Sequence, residues 1–131
     1  MGINTKEGET MGTVLLYNIR GEKKRLGILL LLHRLGLRPR EVAPEEQGQP
    51  LGLLLGLAGY APGGDGGRFT DEMLVMHALS RAQFNALLDG LRRGKTPVAL
   101  KAVVTEHNVA WSSAKLHREL AAEHEAMQKR Q

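Results

Sequence analysis

Apolar residues along the chain follow two alternating patterns that distinguish central strands from edge strands. Residues 13–19 (TVLLYNI) and 73–79 (MLVMHAL) are apolar on both alternating faces, as is typical of strands covered on both sides of a sheet. Residues 98–104 are apolar on one face, formed by the two terminal valines with a leucine and an alanine between them, and carry Lys101 among the others. Residues 38–42 contain a proline, which removes a backbone donor. The last two segments are therefore predicted to be edge strands.

Apolar residues repeat at helical spacing after each central strand. Residues 22–35 are rich in leucine, and Gly36 follows them in the position of a C-terminal cap. The second helix has stronger local signals, because Ser80 and Gln83 match a capping box at its start and Gly94 ends its apolar repeat. The chain is thus predicted to contain two strand–helix–strand units.

Two further segments lie outside this duplication. A final helix is predicted to begin at a cap formed by Ser112 or Ser113 and to run to residue 127, with a narrow apolar stripe. Residues 49–60 (QPLGLLLGLAGY) favour a short core helix or a packed loop whose glycines permit close packing. Residues 61–68 (APGGDGGR) have the composition of a flexible loop.

The order of these elements predicts an α+β fold. A ferredoxin-like βαββαβ sheet of spatial order 4-1-3-2 places the first and third strands in the centre, which are the two segments that are apolar on both faces. The chain adds a C-terminal helix and a short helix or loop before the third strand. Two helices cover one face of such a sheet, so the other face must be covered by the last helix, by residues 49–60 or by a second subunit.

Length and composition indicate one globular domain. The chain has 131 residues, of which 42% are hydrophobic and 24% are charged, with a formal net charge of +4. We expect a tail at residues 1–12, a single domain at residues 13–127 and a second tail at residues 128–131. The sequence contains no cysteine, no secretory signal pattern and no apolar run long enough for a bilayer span, so a soluble cytoplasmic protein is predicted.

Most of the chain resembles an uncharacterised bacterial family, the domain of unknown function 3783 (DUF3783). The features that carry the resemblance are FTDEMLVM, SRAQFNALLDGLRRG, PVALKAVVT, EHNVAW and the terminal ELAAEHE, with LLYNI and QPLGLLLGL upstream. The resemblance implies a small soluble bacterial protein and supplies no activity. The last helix here starts SSAK, without the acidic residue that would complete a capping box.

Candidate ligand-binding residues lie at the entrance to the third strand and in the fourth strand. Asp71 and Glu72 follow the glycine-rich loop and could bind a cation or act as a general base, although an ordinary polar strand entrance explains them as well. Lys101 could pair with either carboxylate or with an anionic ligand; its alternative is a solvated lysine that discourages aggregation at a sheet edge.

A second candidate group lies between the last strand and the last helix. His107, Asn108 and Trp111 combine an imidazole, an amide and the only tryptophan, which is a plausible recognition patch. Alternatively, Trp111 packs against the last helix and Asn108 fixes the turn. His117 and His124 are two helical turns apart, too far to share one metal ion, so neither a metal nor a cofactor is expected.

Basic residues near helix ends form a third candidate surface. They are Lys23, Lys24, Arg25, Arg92 and Arg93. They would form one patch if the two helices lie side by side, although basic residues at a helix C-terminus are also favoured by the macrodipole. Nucleic-acid binding through this patch lacks the aromatic residues that a sheet-based RNA-binding domain uses.

Three functional hypotheses follow from the sequence. The leading one is a non-enzymatic interaction or regulatory module that acts by protein–protein contact, as a dimer or with another protein, through its second sheet face or its last helix. The second is weak nucleic-acid binding through the basic helix ends. The third is a small-molecule binder or enzyme that uses Asp71, Glu72, Lys101 and Asn108.

Overall fold

The computed structural model describes residues 12–129, which form one four-stranded sheet with helices on both faces. The strands are β1 (Thr13–Tyr17), β2 (Arg38–Val42), β3 (Met73–His77) and β4 (Leu100–Val103). The helices are α1 (Glu22–Arg34), α2 (Leu51–Leu54), α3 (Arg81–Arg93) and α4 (Ser113–Lys129), with a 3-10 turn at Pro44–Glu46. The predicted α+β class is confirmed, and each predicted helix and strand is present.

The sheet order differs from the predicted one. The strands lie in the order β2-β1-β3-β4, with the two outer pairs parallel and the central β1–β3 pair antiparallel. The ferredoxin-like order 4-1-3-2 is therefore wrong, although β1 and β3 are central and β2 and β4 are edge strands as predicted. Each helical crossover returns the chain directly beside the strand it left. Burial patterns could not reveal this, because both orders bury the same two strands.

Local sequence explains where α3 begins and how α1 packs beside it. The Ser80 hydroxyl accepts from the Gln83 amide at 3.0 Å and the Gln83 side chain accepts from the Ser80 amide at 2.9 Å, so the predicted capping box is formed. The two helices lie side by side. A Cβ on Gly90 would stand only 2.6 Å from the Leu31 side chain, so this glycine permits their close approach.

The core is divided by the sheet into two layers. Below α1 and α3 the buried residues include Leu16, Ile28, Leu74 and Leu87. The opposite layer is formed by β1 and β3 residues packed against α2 and α4, and includes Leu15, Tyr17, Leu51, Val75 and Leu116. The second face of the sheet is thus covered by the chain itself, through two of the three predicted candidates.

The fourth strand follows its predicted alternation with one exception. Leu100, Ala102 and Val104 pack on the α4 side, but Val98 lies in the core below α1 and α3. Val98 precedes β4, which begins only at Leu100, so the alternation of the strand does not extend to it.

The segment before β3 is a short helix followed by turns. Gly52 in α2 packs against the Tyr60 ring, which a Cβ would approach to 2.4 Å. Gly56 and Gly59 instead have positive φ angles of 75° and 94° with open space around them. The prediction of packing glycines therefore holds for Gly52 alone, and the other two form turns.

The predicted tails fall mainly at the limits of the described chain. Apart from Gly12, the tail predicted at residues 1–12 lies outside the described residues. At the other end α4 continues to Lys129, two residues beyond the predicted domain boundary, and residues 130–131 lie outside the described part.

Candidate functional site

A buried glutamine forms hydrogen bonds that hold the segment before β3 against the rest of the protein. Gln47 is fully buried, and its side-chain oxygen accepts from the Phe69 amide at 2.9 Å. Its side-chain nitrogen donates to Asn18 Oδ1 at 3.1 Å, and its carbonyl accepts from the Ala114 amide at 3.0 Å. One side chain thereby connects the end of β1 with the approach to β3, and its backbone binds the first turn of α4.

Asp71 forms a hydrogen bond with a histidine of α4. Its Oδ2 atom lies 2.8 Å from His117 Nε2, and the His117 ring stacks on Phe69 with centroids 4.3 Å apart. The His117 side chain is 15% exposed, so the imidazole is held between an aromatic ring and a carboxylate. This contact attaches α4 to the entrance of β3.

Glu72 is held by two donors from the β1–α1 connection and from α1. It accepts from the Arg20 amide at 2.8 Å and from Lys24 Nζ at 2.7 Å. Burial alone would raise the pKa of Glu72, but these two hydrogen bonds and the nearby positive charges outweigh burial and lower its pKa. The carboxylate therefore stabilises the fold in its ionised form.

We expect Glu72→Gln to reduce the acid sensitivity of the protein. A lowered pKa in the folded state contributes stability above about pH 4.5, and this contribution is lost as the pH falls through the folded value. Urea unfolding from about pH 7 to about pH 3 should show the largest deficit of the variant at neutral pH and a vanishing one in acid. The exposed Glu123→Gln is the control. A deficit that is constant with pH would contradict this role of the carboxylate.

A small cleft lies beside these carboxylates. Its volume is about 300 Å³. Its lining consists of Arg20, Asp71, Glu72, Ala99, Leu100, Ala121 and His124. Both acidic groups at its rim are already bound within the protein, to His117 and to Lys24. Within residues 12–129, no group of three or more potential metal ligands converges.

Lys101 does not contact Asp71 or Glu72, so the pairing across the sheet, one of its two interpretations, is not formed. It lies beside Leu74 in the register of the parallel pair and donates to the Val98 carbonyl. Burial lowers the pKa of the Lys101 ammonium. The lysine and the two carboxylates therefore do not form one site.

The group between β4 and α4 is partly structural. Asn108 is buried, accepts from the Thr105 amide at 2.9 Å and donates to the Val103 carbonyl at 3.2 Å, so it fixes the turn. Trp111 packs against the core on the α4 side and makes an edge contact with His107 at 5.3 Å between ring centroids. A recognition patch needs exposed side chains, and Asn108 is buried whereas His107 is exposed.

The predicted basic patch is largely paired with acidic residues. Arg25 binds Glu41 through two bonds of 2.6 and 2.9 Å, and Lys24 binds Glu72. Arg92 and Arg93 both contact Asp89, the latter at 3.0 Å. Lys23 is exposed. The charge available to an acidic partner is therefore smaller than the sequence indicates.

An apolar surface that the sequence analysis did not identify lies on the outer side of α1. Leu26 and Leu30, one turn apart, are 51% and 50% exposed, with Glu22 at one end of the helix and Arg34 at the other. We call these four residues the α1 face. The sequence did not reveal this surface because leucines occur around the whole helix. Without a polar side in the pattern, an exposed leucine cannot be distinguished from a buried one.

Comparison with known protein families finds a match within the second half of the chain. Residues 72–127 match the model of a family described as a domain of unknown function (DUF3783). This segment belongs to the DUF3783 family. The resemblance inferred from the sequence is thereby confirmed for residues 72–127, whereas the upstream stretches LLYNI and QPLGLLLGL lie outside the match. The DUF3783 unit contains β3, α3, β4 and most of α4, whereas β1, α1 and β2 precede it.

The other comparisons add no relative to this unit. No curated protein and no solved structure shows a significant match to the chain. Among the described residues, no helix is both long and apolar enough to cross a membrane. DUF3783 membership assigns no activity, so a functional proposal depends on the geometry of the protein.

Proposed function

We propose that the chain is a non-enzymatic interaction module that acts through protein–protein contact and self-associates through the α1 face. The observation that supports this proposal is the pair of half-exposed leucines, Leu26 and Leu30. The other large apolar side chains exposed among residues 12–129, Val103 and Met127, lie on separate elements. Burying two adjacent leucines gains about 25 cal/mol for each Å² of apolar surface removed from water.

The α1 face replaces the surfaces that the sequence indicated. The second face of the sheet is covered by α2 and α4, with Leu15 and Val75 fully buried beneath them. A partner cannot reach that face without displacing the core. The outer side of α1 has no described segment over it and remains accessible to a second molecule.

The two alternative functions have less support. An enzyme or small-molecule binder would need free chemical groups, yet Asp71 and Glu72 are engaged by His117 and Lys24, and Lys101 lies apart from them. Nucleic-acid binding would need several unpaired cations, because affinity grows with the number of phosphates neutralised. Four of the five predicted basic residues instead face carboxylates.

Self-association should depend on Leu30. In light scattering behind size exclusion across a dilution series, we expect a dimer that dissociates on dilution and a Leu30→Lys variant that stays monomeric, because the lysine would place a charge in the apolar contact. Val103→Lys and Met127→Lys introduce the same group at the other exposed apolar positions and should leave the dimer intact. A wild-type protein that is monomeric at every concentration would contradict self-association, and dissociation by Met127→Lys alone would move the contact to α4.

A further inference from the structure

We infer that two copies of the chain pair their α1 helices in antiparallel orientation about a two-fold axis at the level of Ile28. This inference rests on the proposed function and specifies its partner and its geometry. It follows from the positions of two leucines and two charges on the α1 face, which are complementary only in one orientation of the partner helix.

Helical geometry places the four residues on one side of α1. The side chains of Ile28 and Leu32 point into the core and are fully buried. At 100° per residue, Leu26 and Leu30 project from the opposite side, one turn apart. Glu22 continues this line one turn before Leu26, and Arg34 one turn after Leu30. The α1 face is therefore a row that follows one i, i+4 ridge and winds around the helix by about 40° per turn.

A two-fold axis at the level of Ile28 places the acidic end of this row in one copy opposite the basic end of the row in the other. Leu26 of one copy then lies opposite Leu30 of the other, so that four leucines form the centre of the contact. Glu22 lies opposite Arg34 of the second copy at both ends, which forms two intermolecular ion pairs. The remaining pair, Lys23 with His33, adds no attraction. A parallel pairing would place Glu22 against Glu22 and is disfavoured.

The charges at the ends of the row are available for such pairs. The Glu22 side chain is 71% exposed and is held only by Arg25, at 3.1 Å. Arg25 keeps its two bonds to Glu41 if Glu22 turns away. Arg34 is exposed, and no carboxylate of residues 12–129 forms an ion pair with it. Pairing would therefore use one weakly held carboxylate and one free guanidinium.

The surface beside the row has room for leucines of the second copy. A groove of about 410 Å³ runs between α1 and α3 next to Leu30, and its floor includes Leu31 and Gly90. A leucine from the partner helix that enters this groove would lose most of its exposure to water. One helix pair is a small contact, so we expect a dimer that dissociates at concentrations on the order of micromolar.

A charge-swap experiment tests the antiparallel pairing. Dimer dissociation constants are measured by sedimentation equilibrium for the wild type, Glu22→Arg, Arg34→Glu and the double variant. Each single variant places like charges together at both ends, so its dimer should be weaker by about tenfold or more. The double variant restores both ion pairs with reversed sign and should recover to within about threefold of the wild type.

Controls separate the contact from local effects on the helix. Glu123→Arg makes the same change of charge at an exposed position of α4 and should leave the dissociation constant unchanged. Thermal unfolding of each variant at monomeric concentration shows whether α1 itself is altered. If the double variant is as weak as the weaker single variant, the antiparallel pairing is wrong. A dimer that Leu30→Lys still disrupts would in that case leave self-association through the α1 face intact, whereas a wild-type monomer would overturn both.

Discussion

Replacement of Gln47 by alanine should lower the free energy of unfolding by about 3 kcal/mol or more. Gln47 is fully buried, and its loss leaves the Phe69 amide and Asn18 Oδ1 without their partners. Each buried polar group left unpaired costs about 1–3 kcal/mol, and the missing side-chain atoms add the cost of a cavity. The measurement is urea unfolding at equilibrium, followed by circular dichroism.

Two variants distinguish the hydrogen bonds of Gln47 from its volume. Gln47→Met fills nearly the same space with apolar atoms, so a loss close to that of alanine would show that the lost hydrogen bonds dominate. Gln49→Ala is the matched control, because the Gln49 side chain binds only the Gly63 amide at an exposed position, 2.8 Å away. We expect it to change stability by less than about 1 kcal/mol. Equal losses for Gln47→Ala and Gln49→Ala would contradict the role assigned to Gln47.

The hydroxyl pair between β1 and α4 should behave as a coupled unit. Tyr17 Oη and Ser113 Oγ are 2.6 Å apart in the core. Ser113→Ala leaves the Tyr17 hydroxyl unpaired and should cost about 2 kcal/mol, whereas the double variant Tyr17→Phe/Ser113→Ala removes both partners and should cost clearly less than the sum of the two single changes. Additive losses in this double-mutant cycle would show that the bond contributes nothing.

The same tyrosine should affect stability in alkali. Burial raises the pKa of Tyr17, and the bond to Ser113 offsets this only in part. The unfolded chain therefore loses the phenolic proton first, so the contribution of the neutral phenol is complete below about pH 10 and declines as the pH rises above that value. Tyr17→Phe lacks this group and should show a shallower alkaline decline than the wild type. An unchanged slope would contradict the burial of an un-ionised phenol.

Local patterns were sufficient for the elements and insufficient for the way they assemble. The two-sided apolar runs identified β1 and β3 because only a central strand needs both faces apolar. The Ser80–Gln83 box located α3 because a cap depends on residues three positions apart. The order of the edge strands was not predicted because it depends on which side of the sheet each helical crossover returns the chain to. No residue within a strand indicates that position.

The strands and connections on which the candidate residues lie were predicted correctly, but the residues that they contact could not be predicted. Asp71 binds His117, which is 46 residues away, and Glu72 binds Lys24 across 48 residues. Such pairs depend on tertiary packing, which carries no local signal. His117 lies one helical turn after the buried Ser113 and three residues before Leu120, which packs against the core, and this spacing was the indication in the sequence that its ring faces inward.

The limits of the DUF3783 unit predict how a fragment consisting of that unit alone would behave. A fragment that begins at Glu72 keeps the whole matched segment but lacks β1, which pairs with β3 from Met73 to His77. The released edge of β3 would expose unpaired amides and carbonyls on a strand that is apolar on both faces, and such an edge is a template for another strand. Because β1 and β3 run antiparallel, two fragments could join β3 to β3 and rebuild four strands from two chains. In this chain β1, with α1 and β2, thus covers the edge of β3 that the matched segment alone would leave open.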